Sequence, residues 1–255
     1  MDAIRNPYSP GAGTRPPELA GRDLLRERVR VAIERIRIGR PAKSVIMVGL
    51  RGVGKTVLLN QMLRDAEAAR IHTVYVEAPE SRSLPAILAP QLRIALLRLS
   101  RIDAAKDAAI TGLRALAGFA SALKVKFGDI EVGIDYEPEP GLADNGDLEG
   151  DLTALLTQLG EVAKAAGTAL VIFVDELQYV AEEQLAALIT ALHRASQLAL
   201  PVTLVGAGLP QLRGRAGNAK SYAERLFDYP EVGPLEPPQA RLAFVKPAED
   251  EGVVV

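Results

Sequence analysis

A glycine-rich segment of the chain has the residue types and the spacing that hold a phosphate chain. It reads GLRGVGKT, from Gly49 to Thr56, and fits the pattern G-x-x-x-x-G-K-[ST]. Glycines let the backbone curl until its N–H groups and the start of the next helix point at phosphate oxygens. Lys55 is then expected to reach the β- and γ-phosphates of ATP, and the Thr56 hydroxyl to ligate Mg²⁺. The residues predicted to bind the nucleotide here are Gly49, Arg51, Gly52, Val53, Gly54, Lys55, Thr56 and Val57.

An acidic pair, Asp175-Glu176, is the second candidate for chemistry. It follows the unbroken apolar run ALVIFV, Ala169 to Val174, which is typical of a buried parallel strand. Ligands of open α/β folds bind at the carboxyl ends of such strands. Asp175 is therefore predicted to lie near Mg²⁺, and Glu176 to orient or polarise an attacking water. Taken alone, the pair has a simpler interpretation as the cap of the next helix, and its combination with the glycine-rich loop favours the catalytic interpretation.

Strands and helices alternate along the chain in an order that would bring these two segments together. Short apolar or β-branched runs predict strands at Lys43–Val48, His72–Glu77, Ala169–Val174 and Val202–Val205. Helical periodicity is found at Asp23–Ile38 with Asp23 as the N-cap, from Val57 onward, at Leu148–Ala166 and at about Glu182–Gln197. This alternation favours an α/β fold with a parallel sheet covered by helices on both faces.

The composition excludes several other kinds of site. The 255 residues include no cysteine and only two histidines, His72 and His193. That leaves no disulfide or thiolate site and little for a zinc site or a Ser-His-Asp triad, and both histidines are expected to be structural. No run approaches the roughly 20 apolar residues that cross a bilayer, and the N-terminus has no apolar signal segment. We therefore expect a cytoplasmic protein without a membrane partner.

Charge is distributed unevenly along the chain, although the net charge is only −2. The segment from Arg22 to Lys43 has eight basic and three acidic residues, whereas the segment from Phe127 to Ala163 has ten acidic residues and no Lys or Arg. The simpler interpretation is that both charge runs are solvated surfaces. Binding of DNA or of a protein partner is the alternative for either segment.

Several segments together resemble the AAA+ superfamily, in particular the branch of replication-initiator (origin-recognition-like) ATPases and STAND signalling ATPases. GLRGVGKT and VIFVDELQYV are similar to the Walker A and Walker B segments of that superfamily. PELAGRD (Pro17 to Asp23) resembles the box that precedes the first helix and contacts the adenine side of the nucleotide. KSYAERLF (Lys220 to Phe227) resembles the arginine-finger segment, and PLEPPQARLAF (Pro234 to Phe244) is similar to the beginning of the helical lid.

This resemblance implies a fold, a ligand and further site residues. The fold would be a three-layer α/β P-loop NTPase sandwich with a five-stranded parallel sheet in the order 5-1-4-3-2. ATP and Mg²⁺ would be bound, with Arg22 on the adenine side and Tyr8 or Pro7 stacking on the base. Arg225 would be an arginine finger that acts in trans within a homo-oligomer; a structural or solvated arginine is the simpler interpretation of both arginines. The residues to which catalysis is then assigned are Lys55, Glu176 and Arg225.

Two features depart from the pattern of the family. The fourth strand of the family ends in a polar sensor, commonly Asn, where this chain has Gly206-Ala207-Gly208. Thr203 and Gln211 are the nearby candidates for a sensor, and slow hydrolysis is expected. Lys55 and Asp175 are also 120 positions apart (175 − 55), so we predict an insertion at about 85–146. It would contain two helices and a hairpin at 124–135.

The predicted organisation is an extended arm at 1–20, a nucleotide-binding domain at 21–236 and, at 237–255, the start of a helical lid that is cut short. The expected function is Mg²⁺-dependent ATP hydrolysis that drives a conformational or assembly switch, with an unidentified protein partner. Two alternatives stay open. One is a signalling or scaffold switch that binds ATP and hardly hydrolyses it, and the other is an initiator-like ATPase that associates with DNA.

Overall fold

Five parallel strands form the central sheet of the structure, a computed structural model that describes residues 6–8, 16–127 and 136–252. The strands lie in the order β2-β3-β4-β1-β5, and every neighbouring pair is parallel. This order confirms the arrangement 5-1-4-3-2 that the family resemblance implies. The strands are β1 Ser44–Val48, β2 His72–Glu77, β3 Leu170–Asp175, β4 Val202–Gly208 and β5 Phe227–Asp228.

Helices cover both faces of this sheet, so the described residues form a three-layer α/β sandwich. The helices are α1 Asp23–Arg37, α2 Lys55–Ala68, α3 Leu84–Leu99, α4 Lys106–Phe127, α5 Leu148–Ala165, α6 Glu182–Gln197, α7 Leu212–Ala219, α8 Ala223–Leu226 and α9 Pro237–Asp250. Helices α1 and α2 pack on one face and α3 to α6 on the other. Side chains alternate between the two faces along each strand: Ile46 and Ile172 face the larger core, and Met47 and Phe173 face the smaller one.

The segment predicted as an insertion packs into the larger core. Helix α4 contacts both α3 and α5, and Leu96, Leu113 and Phe119 are at most 1% exposed. Residues 124–127 belong to α4, so the predicted hairpin is wrong at that end, and its other residues, 128–135, lie outside the described part of the chain. Four alternating residues are compatible with a helix as well as with a strand, and the preceding turns of α4 decide in favour of the helix.

Helix α1 begins one residue earlier than predicted. Arg22 is its N-cap, Asp23 is its first residue and no side chain caps it, so the prediction of Asp23 as N-cap is wrong. Gly21 makes a left-handed turn with a φ of 69°, which brings Arg22 to the cap position. There the Arg22 carbonyl accepts hydrogen bonds from the N–H groups of Leu25 and Arg26. Asp23 still stabilises α1 through its negative charge in the first turn.

Candidate functional site

The glycine-rich segment forms the loop between β1 and α2. Gly52 and Gly54 have φ angles of 82° and 87°, in the left-handed region that glycine adopts most readily. Gly54 is the N-cap of α2, and no side chain caps this helix. The first N–H groups of α2 therefore have no side-chain acceptor at the cap, which is the arrangement that binds an anion such as a phosphate.

Gly49, the first residue of the loop, is glycine for a steric reason. A Cβ atom at this position would lie 2.2 Å from the carbonyl oxygen of Val232. The two backbones are held this close because the Val232 N–H donates to the Val48 carbonyl, at 2.7 Å. The Gly49 N–H in turn donates to the Gly208 carbonyl, at 3.2 Å. The start of the loop is thus attached to β4 on one side and to the segment after β5 on the other.

Lys55, Thr56 and Asp175 come together at the base of this loop. Lys55 is 7% exposed, and its Nζ donates to the Leu50 carbonyl at 2.8 Å. The Thr56 side chain interacts with the carboxylate of Asp175, which is only 2% exposed. Burial raises the pKa of Asp175; the hydrogen bonds from Thr56 and from the Glu176 N–H and the charge of Lys55 act against this shift, and the charge of Glu176 adds to it. The two predicted magnesium ligands, Thr56 and Asp175, thus lie close together.

Glu176 adopts a left-handed backbone conformation, with φ 53° and ψ 36°. For a residue other than glycine this conformation costs about 1–3 kcal/mol, and residues of this kind cluster at active sites. The Glu176 N–H donates to Asp175 Oδ1 at 2.9 Å, and the amide of Gln178 donates to the Glu176 carboxylate. Because β3 ends at Asp175, Glu176 lies at the carboxyl edge of the sheet, directly after the predicted magnesium ligand.

Gln178 is a residue of this site that the sequence motifs did not single out. Its side chain is buried, and its Oε1 accepts a hydrogen bond from the Leu209 N–H at 3.1 Å, immediately after β4. The sequence feature that could have indicated Gln178 is the pair of glycines Gly206 and Gly208. They leave space against β4 for side chains from another element.

Thr203 does not lie at this site, so its assignment as a sensor is wrong. Its hydroxyl is buried near the amino end of β4, where it is hydrogen-bonded to Ser44 Oγ at 3.0 Å. Only the carboxyl end of β4 is next to the glycine-rich loop, and Thr203 is at the other end of the strand. Gln211 is exposed at the N-cap of α7, and its sensor role stays a prediction.

An open cleft of about 490 Å³ adjoins the glycine-rich loop on the side of the N-terminal segment. Arg22 Nη2 donates to the Gly233 carbonyl at 2.6 Å and to the Val53 carbonyl at 3.3 Å, and burial lowers the pKa of Arg22. Arg22 thus joins two loops that line the cleft. The Tyr8 ring lies against Phe244 of α9, with 6.2 Å between centroids. Other lining residues are Leu19, Arg51, Gly52, Pro234, Leu235 and Ala243.

The two remaining predicted arginines, Arg51 and Arg225, lie near opposite ends of β1. Arg51 Nη2 donates to the Tyr179 hydroxyl at 2.8 Å, which joins the glycine-rich loop to the turn after β3. Arg225 is exposed on α8, and the pairing of Ser44 with Phe227 sets α8 beside the start of β1. The glycine-rich loop follows the other end of β1, about 15 Å away along the strand. Arg225 therefore cannot act on the loop of its own chain without a large rearrangement.

The two histidines lie away from the glycine-rich loop. His193 stacks on Tyr222 with 4.6 Å between ring centroids. His72 begins β2, where burial and the charge of Arg98 lower its pKa. Across the residues that the structure describes, no group of three or more His, Cys, Asp or Glu side chains is arranged to hold a metal ion. Among the same residues, no helix is long and apolar enough to span a membrane.

A family model described as "AAA ATPase domain" matches residues 18–205. The matched residues include both the GLRGVGKT segment and the acidic pair at the end of β3. A search of the curated proteins found no match to the chain.

Solved structures with the same fold include the following two proteins. The ORC1 protein of Aeropyrum pernix, in complex with DNA, is similar with a TM-score of 0.50 and 15% identity, over 92% of this chain and 51% of that chain. Cdc6p from Pyrobaculum aerophilum is similar with a TM-score of 0.50 and 16% identity, over 98% of this chain and 54% of that chain. The chain spans about half the length of either protein. At such low identity the likeness shows the fold alone.

Proposed function

Because the chain belongs to the AAA ATPase domain family, we propose that it binds ATP and hydrolyses it in a Mg²⁺-dependent reaction that drives a conformational or assembly switch. The observation that carries this proposal is the junction between the glycine-rich loop and the acidic pair. The Thr56 side chain lies close to the carboxylate of Asp175, and Glu176 follows directly. A phosphate-binding loop, a cation site and a water-orienting carboxylate thus meet at one edge of the sheet.

The residues at this junction fit a magnesium ion. Mg²⁺ is usually held by one or two protein oxygens together with substrate phosphates and water. Thr56 offers a hydroxyl and Asp175 a carboxylate, and these two groups lie close together. Burial, which raises the pKa of Asp175, makes a nearby positive charge favourable for its ionised form. When bound, the ion neutralises charge on the phosphates.

Lys55 has to change its partner when ATP binds. Its Nζ donates to the Leu50 carbonyl of its own loop, at 2.8 Å. A hydrogen bond between an ammonium group and a charged phosphate oxygen is roughly twice as strong as one between neutral groups. The phosphates of ATP would therefore draw Lys55 from the loop to the nucleotide.

Glu176 is the residue that we assign to the attacking water. In the reaction the water oxygen forms a bond to the γ-phosphorus, the bond between that phosphorus and ADP breaks, and the carboxylate orients the water or accepts its proton. The carboxylate is fixed by Gln178 and by the left-handed turn at Glu176. Rigid placement of this kind favours catalysis because the geometry does not have to be found anew in each cycle.

Calorimetry tests the nucleotide site. Lys55→Ala should raise the Kd for ATP at least tenfold, because a charge-assisted hydrogen bond contributes about 1.5–3 kcal/mol. Lys164→Ala is the matched control, since Lys164 is exposed in the last turn of α5, and its Kd should equal that of the parent. Equal ATP affinity in Lys55→Ala and the parent would contradict the assignment.

A switch that binds ATP and hardly hydrolyses it is the second candidate function. It is favoured by the end of β4, where Gly206, Ala207 and Gly208 offer nothing larger than a methyl group to a γ-phosphate. Phosphate release at saturating ATP separates the two candidates. Many phosphates per protein support the ATPase, and release that stops at one or fewer supports the low-turnover switch.

An association with DNA has weaker support. The ORC1 structure is a complex with DNA, but that fact concerns that protein. In this chain, four arginines of the basic helix α1 already form ion pairs with acidic side chains. These pairs offset positive charge that would otherwise attract the phosphates of DNA. A binding constant that falls steeply with salt would favour the DNA alternative. The pairs are Arg26–Asp65, Arg28–Asp228, Arg30–Glu27 and Arg37–Glu34.

We also propose that residues 21–236 form the ATPase domain, with the segment at about 85–146 as its insertion, and that 237–255 begin a helical lid. Ala243 of α9 lines the cleft, and Lys246 of α9 forms an ion pair with Glu18 of the arm at 1–20. These contacts support a lid on the adenine side. Arg225, at the opposite sheet edge, would serve the site of a neighbouring copy in a homo-oligomer.

A further inference from the structure

We propose that Gln178 is a positioning residue for Glu176, and that it supplies from the turn after β3 the polar group that β4 lacks. The inference rests on the proposed ATPase function and deepens it. In this role the amide of Gln178 holds in place the Glu176 carboxylate that orients the water.

The Gln178 side chain joins Glu176 to the end of β4. Its Nε2 donates to the Glu176 carboxylate, and its Oε1 accepts from the Leu209 N–H at 3.1 Å. An amide both donates and accepts at its tip, so a single side chain can make both contacts. Only 8% of Gln178 is exposed, which leaves water little access to replace either hydrogen bond.

The glycines of β4 make room for this arrangement. A Cβ atom at Gly208 would lie 2.7 Å from Leu212 Cδ2 and 2.9 Å from Gln178 Oε1, and a Cβ atom at Gly206 would lie 2.3 Å from Leu177 Cδ1. A side chain at position 208 would therefore compete with Gln178 and Leu212 for the same volume, and one at position 206 would compete with Leu177. The small residues Gly206-Ala207-Gly208 thus leave the volume that Gln178 and its neighbours fill. Gln178 brings a polar group to a strand end that has none of its own.

The end of β4 is attached to the glycine-rich loop, and the turn that contains Gln178 is attached to α7. The Gly208 carbonyl accepts from the Gly49 N–H at 3.2 Å. Arg215 of α7 donates to the carbonyl oxygens of Gln178 and Val180, at 2.9 Å for Val180. A shift of the loop on ATP binding would reach the end of β4, and through Gln178 it would reach Glu176.

Gln178→Glu separates positioning from packing. The substitution keeps the size of the side chain and an oxygen that accepts from Leu209, but it replaces the donor to Glu176 by a second carboxylate. We expect kcat to fall about tenfold or more, which is the effect of losing a charge-assisted hydrogen bond. KM and the Kd for ATP should stay within about twofold, because Lys55 and its loop are unchanged.

Gln184→Glu is the matched control. Gln184 Oε1 also accepts a backbone N–H, that of Leu84 at 2.7 Å, but it lies on α6 without a carboxylate of the site beside it. Its kcat, KM and melting temperature should match those of the parent.

A double substitution tests the competition for space. Gln178→Ala alone should lower kcat, and Gly208→Asn alone should lower the melting temperature, because the new side chain meets Leu212 Cδ2 and Gln178 Oε1. Combined, the two changes remove the clash with Gln178, leave the one with Leu212, and return an amide to β4. The effects should therefore be non-additive, with a melting temperature above that of Gly208→Asn and a kcat at least about threefold above that of Gln178→Ala.

Three results would overturn the role of Gln178. Parent-like kcat in folded Gln178→Glu would overturn it and leave the ATPase function standing. Parallel losses of kcat and ATP affinity in Gln178→Glu would also overturn it, because they indicate a structural role; a lower melting temperature would not, since a second buried carboxylate destabilises the protein by itself. A parent protein that binds ATP without any turnover would overturn the proposed hydrolysis, and the role of Gln178 with it.

Discussion

The charge of Asp175 should destabilise the folded protein, so that Asp175→Asn raises the melting temperature while it stops hydrolysis. Asp175 is 2% exposed, and burial raises its pKa despite the hydrogen bonds from Thr56 and the Glu176 N–H. A raised carboxyl pKa means that the folded state disfavours the charged form more than the unfolded chain does. At neutral pH the ionised side chain therefore lowers the free energy of unfolding, and asparagine removes this cost.

The size of the expected gain in stability follows from the hydrogen bonds that asparagine at position 175 can keep. Its Oδ1 can accept from the Glu176 N–H, and its Nδ2 can donate to the Thr56 hydroxyl, which accepts as well as donates. Both hydrogen bonds are thus retained while the buried charge is lost. We expect a gain on the order of 1 kcal/mol, typical of substitutions that relieve a functional site. For a chain of this size the melting temperature should rise by about 2–4 °C.

The gain in stability of Asp175→Asn over the parent should decrease as the pH falls. The cost of ionised Asp175 is fully present above its raised folded pKa and vanishes as the pH falls toward the unfolded value of about 3.9. The difference in melting temperature between Asp175→Asn and the parent should therefore be largest near neutral pH and shrink as the pH falls.

Asp151→Asn is a matched control with the opposite expectation. Asp151 is 0% exposed, and its two carboxylate oxygens accept from the N–H groups of Asn145 at 2.9 Å and Gly146 at 2.8 Å. Asparagine cannot accept at both positions, so one buried N–H loses its partner at a cost of about 1–3 kcal/mol. Calorimetric melting without nucleotide or Mg²⁺ compares the three proteins. A fall in Asp175→Asn as large as that in Asp151→Asn would refute the reasoning.

Three further substitutions test other parts of the site. Arg225→Ala should lower hydrolysis about tenfold or more at unchanged ATP affinity; a parent rate per protomer that does not rise with protein concentration would argue against action in trans. Gly49→Ala should abolish ATP binding and lower the melting temperature, because its Cβ would meet the Val232 carbonyl at 2.2 Å, whereas Gly214→Ala, with open space around it, should change neither. Arg22→Ala should weaken ATP binding about fivefold or more, because two carbonyls of the cleft lose a shared donor worth about 1 kcal/mol; unchanged affinity would remove Arg22 from the nucleotide site.

Much of the sheet was predictable because its signals are local. The run ALVIFV is apolar throughout, and β3, Leu170–Asp175, is buried over its whole length. The predicted bounds of β2 and α6 agree with the structure. Strand β5, Phe227–Asp228, could not be recognised, because two residues have no periodicity. Its place is determined by pairing with β1, about 180 positions earlier in the chain.

The candidate site was predictable only in part, for a related reason. The place of Glu176 follows from the end of a strand, which a sequence pattern can locate. The contact of Gln178 with Glu176 depends on a left-handed turn and on space left by Gly208 in another strand. Thr203 failed as a sensor because it is the second residue of its strand, Val202–Gly208, and lies at the end away from the glycine-rich loop, as the predicted start of the strand at Val202 already indicated.

Steady-state phosphate release by Glu176→Gln tests the central claim most directly, provided that ATP affinity is measured on the same preparation. We predict a Kd for ATP within about twofold of the parent, because the glycine-rich loop and Asp175 are untouched. We predict a kcat lower by about a hundredfold or more, because the carboxylate that orients the water is lost. Glu176→Gln that binds ATP and releases phosphate at the parent rate would contradict the assignment of this site.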